Sequence, residues 1–119
     1  MKNTICFFAV VIAITSCSLF KSVTSNTTIT PQNSFVLGNN EHGTFSVKLK
    51  NVSKKDVVIH RAPITGGKHS YVTVQPNETI NVNVEKNTAM VIENNTNDTA
   101  SVDLFIKGDT GLSMGYKKY

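Results

Sequence analysis

From Asn33 onward, apolar residues recur at every second position. Ile80, Val82 and Val84 face one way with Asn81 and Asn83 between them, and Phe45, Val47 and Leu49 alternate with Ser46, Lys48 and Lys50. A period of two marks half-buried strands, because successive side chains on a strand point to opposite faces. No amphipathic helix of convincing length competes. Strands are predicted around Phe35–Leu37, Phe45–Leu49, Val57–Arg61, Tyr71–Val74, Ile80–Val84, Thr88–Glu93, Val102–Ile106 and Leu112–Tyr116. The continuous run Ala89-Met90-Val91-Ile92 reads as a central strand covered on both faces. Gly38-Asn39-Asn40, Asn51–Lys55, Pro63 with Gly66-Gly67, Gln75-Pro76-Asn77, Asn94–Thr99 and Gly108–Gly111 supply the breaks. Seven or eight short strands at this spacing predict an all-β domain over residues 33–119. The expected form is a small antiparallel β-sandwich of immunoglobulin-like or Greek-key kind.

A faint internal echo accompanies the pattern. Phe45–Ile59 and Thr88–Val102 align as strand, Asn-x-Ser/Thr turn, strand, with Asn51 matching Asn94. The echo supports two similar hairpins, without requiring a duplication.

The N-terminus is of another kind. Met1-Lys2-Asn3-Thr4 carries one positive charge, and Ile5–Ile14 is uninterruptedly apolar. That is the build of an export signal, and it is too short for a membrane-spanning helix of about 20 residues. Ile14-Thr15-Ser16-Cys17 follows at once: a branched apolar residue, two small residues and a cysteine. The quartet resembles the lipobox of bacterial lipoproteins. The resemblance implies removal of residues 1–16, acylation of Cys17 and permanent anchoring to a membrane of the cell envelope. The competing site is ordinary cleavage after Ser25, with Val23 and Ser25 at the −3 and −1 positions, which would give a secreted glycoprotein. Residues 17–32 are rich in Ser, Thr and Asn and are expected to form a flexible tether.

The two cysteines are Cys6 and Cys17, so processing at Cys17 leaves the domain without a disulfide or free thiol, and stability must come from apolar packing. The formal net charge of +4 falls by one when Lys2 is removed, and the remaining cations are spread out. Nucleic-acid binding would require a basic cluster with aromatic stacking partners, so nucleic acid is not an expected partner.

Chemistry-bearing residues are sparse. His42, His60 and His69 show no metal-ligand spacing, although His60 and His69 flank the Pro63–Gly67 loop and are placed to approach each other; surface positions are expected for all three. The eight carboxylates are scattered, and neither a nucleophile elbow nor a cysteine–histidine dyad is present. Asp109 in Gly108–Gly111 reads as a hairpin turn, one carboxylate being too few for calcium. Asn26, Asn51, Asn77, Asn94 and Asn97 each head an Asn-x-Ser/Thr sequence. Such sequences mark glycan acceptors in eukaryotic secreted chains, but Asn is equally at home in turns. Arg61, Lys68, His69 and Tyr71 surround the Gly66-Gly67 loop, where contacts with a ligand tend to gather.

The sequence thus leads to an anchored, non-catalytic module without metal or cofactor. It is either structural or protein-interacting, or else it binds a glycan or peptide through the 61–71 region. The absence of Trp weighs against the carbohydrate reading. A concave aromatic or charged surface would favour ligand binding; a flat, polar, pocket-free one would favour the structural role.

Overall fold

The computed structural model describes residues 22–118. The expected export signal, residues 1–16, and Cys17 lie outside the described residues. The described residues are all-β, with nine strands: β1 Ser22–Ile29, β2 Asn33–Leu37, β3 Phe45–Asn51, β4 Val57–Pro63, β5 His69–Val74, β6 Thr79–Val84, β7 Thr88–Asn94, β8 Ala100–Gly108 and β9 Met114–Lys118. They form two antiparallel sheets, one ordered β1-β8-β3-β6 and the other β5-β4-β7-β2-β9.

The inward positions of the period-two pattern fill the space between the sheets. Leu49, Ile92, Leu104 and Ile106 are fully buried there with Leu37, Val57, Val74 and Met90. Burying a Leu or Ile side chain contributes about 1.5–3 kcal/mol, so this interior is the main source of stability in a domain without disulfides. β7 is buried on both faces, as its unbroken apolar run predicts.

Two features differ from the sequence reading. Residues 22–29, expected within the tether, form β1, paired over its whole length with β8 from Ser22↔Lys107 to Ile29↔Ala100. Its inward positions are Val23, Ser25, Thr27 and Ile29, half of them hydroxyl residues, so the apolar alternation is weak. Ser25 Oγ and Thr27 Oγ1 hydrogen-bond each other at 3.0 Å, and Asn26 Nδ2 donates to Asp103 Oδ1 at 2.7 Å across the pair. Local polar pairing and β-branched residues hold an edge strand that apolar periodicity does not show.

The second difference is connectivity. Only β4 and β5 form a hairpin; every other connection between the described strands leaves one sheet and enters the other. The turns after β3, β7 and β8 are therefore arches between sheets. Greek-key crossing of this kind, with β1-β8-β3-β6 facing β5-β4-β7-β2, is the jelly-roll topology, with β9 added beside β2. Adding four to each strand number, counted cyclically over β1–β8, turns the order β1-β8-β3-β6 into β5-β4-β7-β2, so the two sheets share one connectivity pattern. The echo between Phe45–Ile59 and Thr88–Val102 falls on these equivalent strands, β3–β4 and β7–β8.

The equivalent asparagines close the two arches in the same way. Asn94 Nδ2 donates to Ile29 O at 3.0 Å and Asp98 O at 2.7 Å, while its Oδ1 accepts from Thr96 N and Thr96 Oγ1. Asn51 Nδ2 donates to Val74 O at 3.0 Å and Lys55 O at 2.8 Å, and its Oδ1 accepts from Ser53 N and Ser53 Oγ. Both asparagines are completely buried. Asn51 and Asn94 therefore use the Asn-x-Ser/Thr pattern to satisfy backbone groups inside an arch, and their amides face no solvent. Asn26, Asn77 and Asn97 are exposed.

Candidate functional site

The outer face of the five-stranded sheet is not a plain solvated surface. Positions that alternate with the core on β2, β4 and β7 carry Val36, Ala62, Ala89 and Val91, and Ala89 and Val91 are buried. Small side chains here, with Gly115 on β9, leave a trough of about 510 Å³ over the sheet. Lys68 from the β4–β5 loop stands on one side, and Lys117 from β9 on the other. That volume falls within the roughly 300–1,000 Å³ usual for small-ligand sites.

A histidine–carboxylate pair lies in the floor. His60 on β4 is 2% exposed and Glu93 on β7 12%, and His60 Nδ1 is 2.6 Å from Glu93 Oε2. The pair is close without being aligned, since Nδ1 makes no hydrogen bond of acceptable geometry. Tyr71 of β5 stacks on the His60 ring, with centroids 4.8 Å apart and planes 25° from parallel. Ser34, also in the floor, donates its hydroxyl to Lys117 O at 2.6 Å, which ties β9 to β2. Among the described residues no hydroxyl is hydrogen-bonded to His60, so the nucleophile-on-base geometry of covalent catalysis is not formed.

Burial lowers the pKa of His60 from its ordinary 6.5; the Glu93 carboxylate opposes the shift and the Lys68 ammonium adds to it. With the folded value depressed, the unfolded chain binds more protons below the ordinary pKa. The contribution of His60 to stability is complete above about pH 6.5 and is lost as pH falls through that value toward the folded pKa. The thermal midpoint is expected to fall between about pH 7.5 and pH 5.5, with His60→Gln flattening the dependence. An unchanged slope in the variant would assign the effect to other groups.

The sequence-derived residues are only partly brought together. Lys68 lines the trough and Tyr71 caps His60, but Arg61 reaches toward Glu85, its Nε 3.8 Å from Oε1. His69 is exposed, lies opposite Arg61 in the strand register, and bonds Ser70 Oγ at 2.8 Å. His60 thus meets Glu93, not His69. The expectation of surface histidines holds for His69 alone. His42 is buried, with Nε2 2.9 Å from Thr88 O and its backbone N–H donating to Asn87 Oδ1, and it packs edge-on against Phe45. Among the described residues no three His, Cys, Asp or Glu side chains form a metal-ligand group. Glu93, Ser34 and Lys117 are missing from the sequence reading. Their one signal is polarity at outward positions of apolar strands, which any solvated face also shows.

Asp109 does not sit in a hairpin turn. Its Oδ2 accepts from Gly43 N at 2.6 Å and its Oδ1 from Gly111 N at 2.9 Å, fastening the β8–β9 crossing to the β2–β3 loop.

Fold and site together define a jelly-roll domain with a ligand-sized trough on one outer face. Among solved structures, the chain is similar to the capsular polysaccharide assembling protein CapF from Staphylococcus aureus, at 19% identity and a TM-score of 0.55 over 72% of this chain. The chain spans 24% of the length of that protein. A CapF structure with the inhibitor 3-isopropenyl-tropolone gives 19% identity and a TM-score of 0.54, covering 70% of this chain and 23% of that one. The Yersinia pseudotuberculosis-derived mitogen is similar at 14% identity and a TM-score of 0.47, over 79% of this chain and 95% of its own. At these identities the likeness to CapF is one of fold. No family model matches the chain, and no curated protein matches it significantly.

Proposed function

We propose that this chain is a non-catalytic, ligand-binding jelly-roll module moored to a bacterial cell envelope by an acylated Cys17, and that its trough takes a saccharide. The observation that carries the reading is the trough itself: concave and charged at its sides where a structural sandwich is flat. Its floor is made of the paired strands β4, β7 and β2, whose backbone groups are already used in the sheet. A peptide would find no strand edge to extend across that floor. Small apolar side chains set among Ser34, Glu93 and Lys68 suit sugar rings, which offer an apolar C–H face and a rim of hydroxyls.

The position of β1 supports processing at Cys17. A cut before Cys17 retains all of β1, whereas a cut after Ser25 would remove half of a strand paired along its length. The linker is then short: Ser22 lies five residues from Cys17, at most about 17 Å of extended chain. Cys17→Ser is expected to move the protein from the membrane to the soluble fraction; retention on the membrane would sink the anchor.

Gly115 gives the direct test of the trough. A Cβ at this position meets nothing within 4 Å. Gly115→Trp is therefore expected to obstruct the trough with little change in melting temperature. On an array of neutral and acidic saccharides, the wild type should bind and this variant should not. A wild type that binds no saccharide, or a variant that binds equally well, would refute the reading.

A further inference from the structure

Lys68 and Lys117 stand at opposite sides of the trough, on elements at opposite edges of a five-stranded sheet. Neither ammonium has an ion-pair partner among the described residues, and Lys55 and Arg61, which do, lie away from the trough. Among the described residues the one carboxylate lining the trough is Glu93, whose Oε2 lies 2.6 Å from His60 Nδ1 in the floor. The trough thus presents three lysines, Lys68, Lys117 and Lys118, to one carboxylate. Cations placed this way favour an anionic ligand, since charge-assisted hydrogen bonds to a carboxylate are stronger than those between neutral groups.

We infer that the ligand is an acidic saccharide, with ring carboxylates meeting Lys68 and Lys117 and sugar faces lying on Val36, Ala62, Ala89 and Val91. This inference rests on the saccharide reading above and narrows it to carboxylate-bearing sugars. Glu93 is then left to accept hydrogen bonds from ligand hydroxyls, a role that the shallow floor permits and the side lysines cannot fill.

Uronate trisaccharides of several configurations, each paired with its methyl ester, separate charge from ring. Calorimetric titration of the full chain at low salt is expected to show at least one acid binding about ten-fold more tightly than its ester, with the advantage shrinking as salt is added. Lys68→Met and Lys117→Met should each weaken the acid by roughly two- to five-fold, as exposed ion pairs do, and leave the ester unchanged. Both lysines are solvent-facing, so melting temperatures of the variants should match wild type.

Equal binding of acid and ester would overturn the acidic assignment while leaving saccharide binding intact. Binding of a neutral sugar on the array, with no uronate bound, would overturn the acidic assignment in the same way. Binding of a hexaglutamate peptide as tightly as the best uronate would show a site that reads charge alone and would overturn both readings. Loss of uronate binding in Gly115→Trp, with retention in Lys50→Met on the other sheet, would fix the contact to the trough.

Discussion

Asn94→Ala is expected to lower the unfolding free energy by about 2–4 kcal/mol, and Asn51→Ala by a similar amount. Each substitution removes a side chain that donates twice and accepts twice in the interior. Truncation leaves Ile29 O or Val74 O, both on fully buried residues, without its amide donor. A buried polar group left unpaired costs about 1–3 kcal/mol, more than the net gain of an average hydrogen bond. For a domain near 100 residues the midpoint should drop by roughly 10–25 °C. Asn→Asp at either site should be no milder, because it removes both donors and adds a buried charge. A loss below about 0.5 kcal/mol in chemical denaturation would mean that the arches close without these residues. The same burial predicts that, in a glycosylating host, neither Asn51 nor Asn94 carries a glycan on the folded domain, whereas the exposed Asn26, Asn77 and Asn97 remain accessible; peptide mass mapping reads this directly.

Gly108→Ala should cost about 2–4 kcal/mol, a large effect for a single methyl group. Gly108 ends β8 with φ +100°, a left-handed conformation that side chains disfavour. An added Cβ would also lie 2.9 Å from Thr44 O and 3.1 Å from Phe45 Cα, both backbone atoms that cannot rotate away. Strain and collision act together. The bend there also delivers Asp109 to the Gly43 amide, so relaxation at Gly108 would weaken the fastening of the β8–β9 crossing. Gly115→Ala, with ordinary φ and open space at its Cβ, serves as the control and should stay within about 0.5 kcal/mol of wild type. A Gly108→Ala variant as stable as Gly115→Ala would show that the geometry at Gly108 carries no such cost.

Much of the strand framework was legible in the chain. Val47, Leu49, Val82, Val84, Val102, Leu104 and Ile106 occupy the inward positions that alternation assigned to them, and β7 is buried on both sides. β1 was hidden because Ser25 and Thr27 take inward positions and satisfy each other, so its apolar signal falls to that of a linker. The candidate site was half legible. Lys68 and Tyr71 were found because they flank a conspicuous glycine loop, but Arg61 leaves for Glu85 and His60 pairs with Glu93, on a strand distant in the chain.

Alternation is a property of the local backbone: neighbouring side chains must point to opposite faces whatever the strand pairs with. The sequence by itself therefore determined the all-β class, the identity of the core faces and the places where strands end. Pairing between distant strands is not encoded in that period. The tertiary structure alone decided that the turns after Asn51 and Asn94 are arches between sheets, that these asparagines and His60 are buried, and that small side chains on three strands line up into a trough. Each of these depends on contacts between segments far apart in the chain, formed only when both sheets are in place.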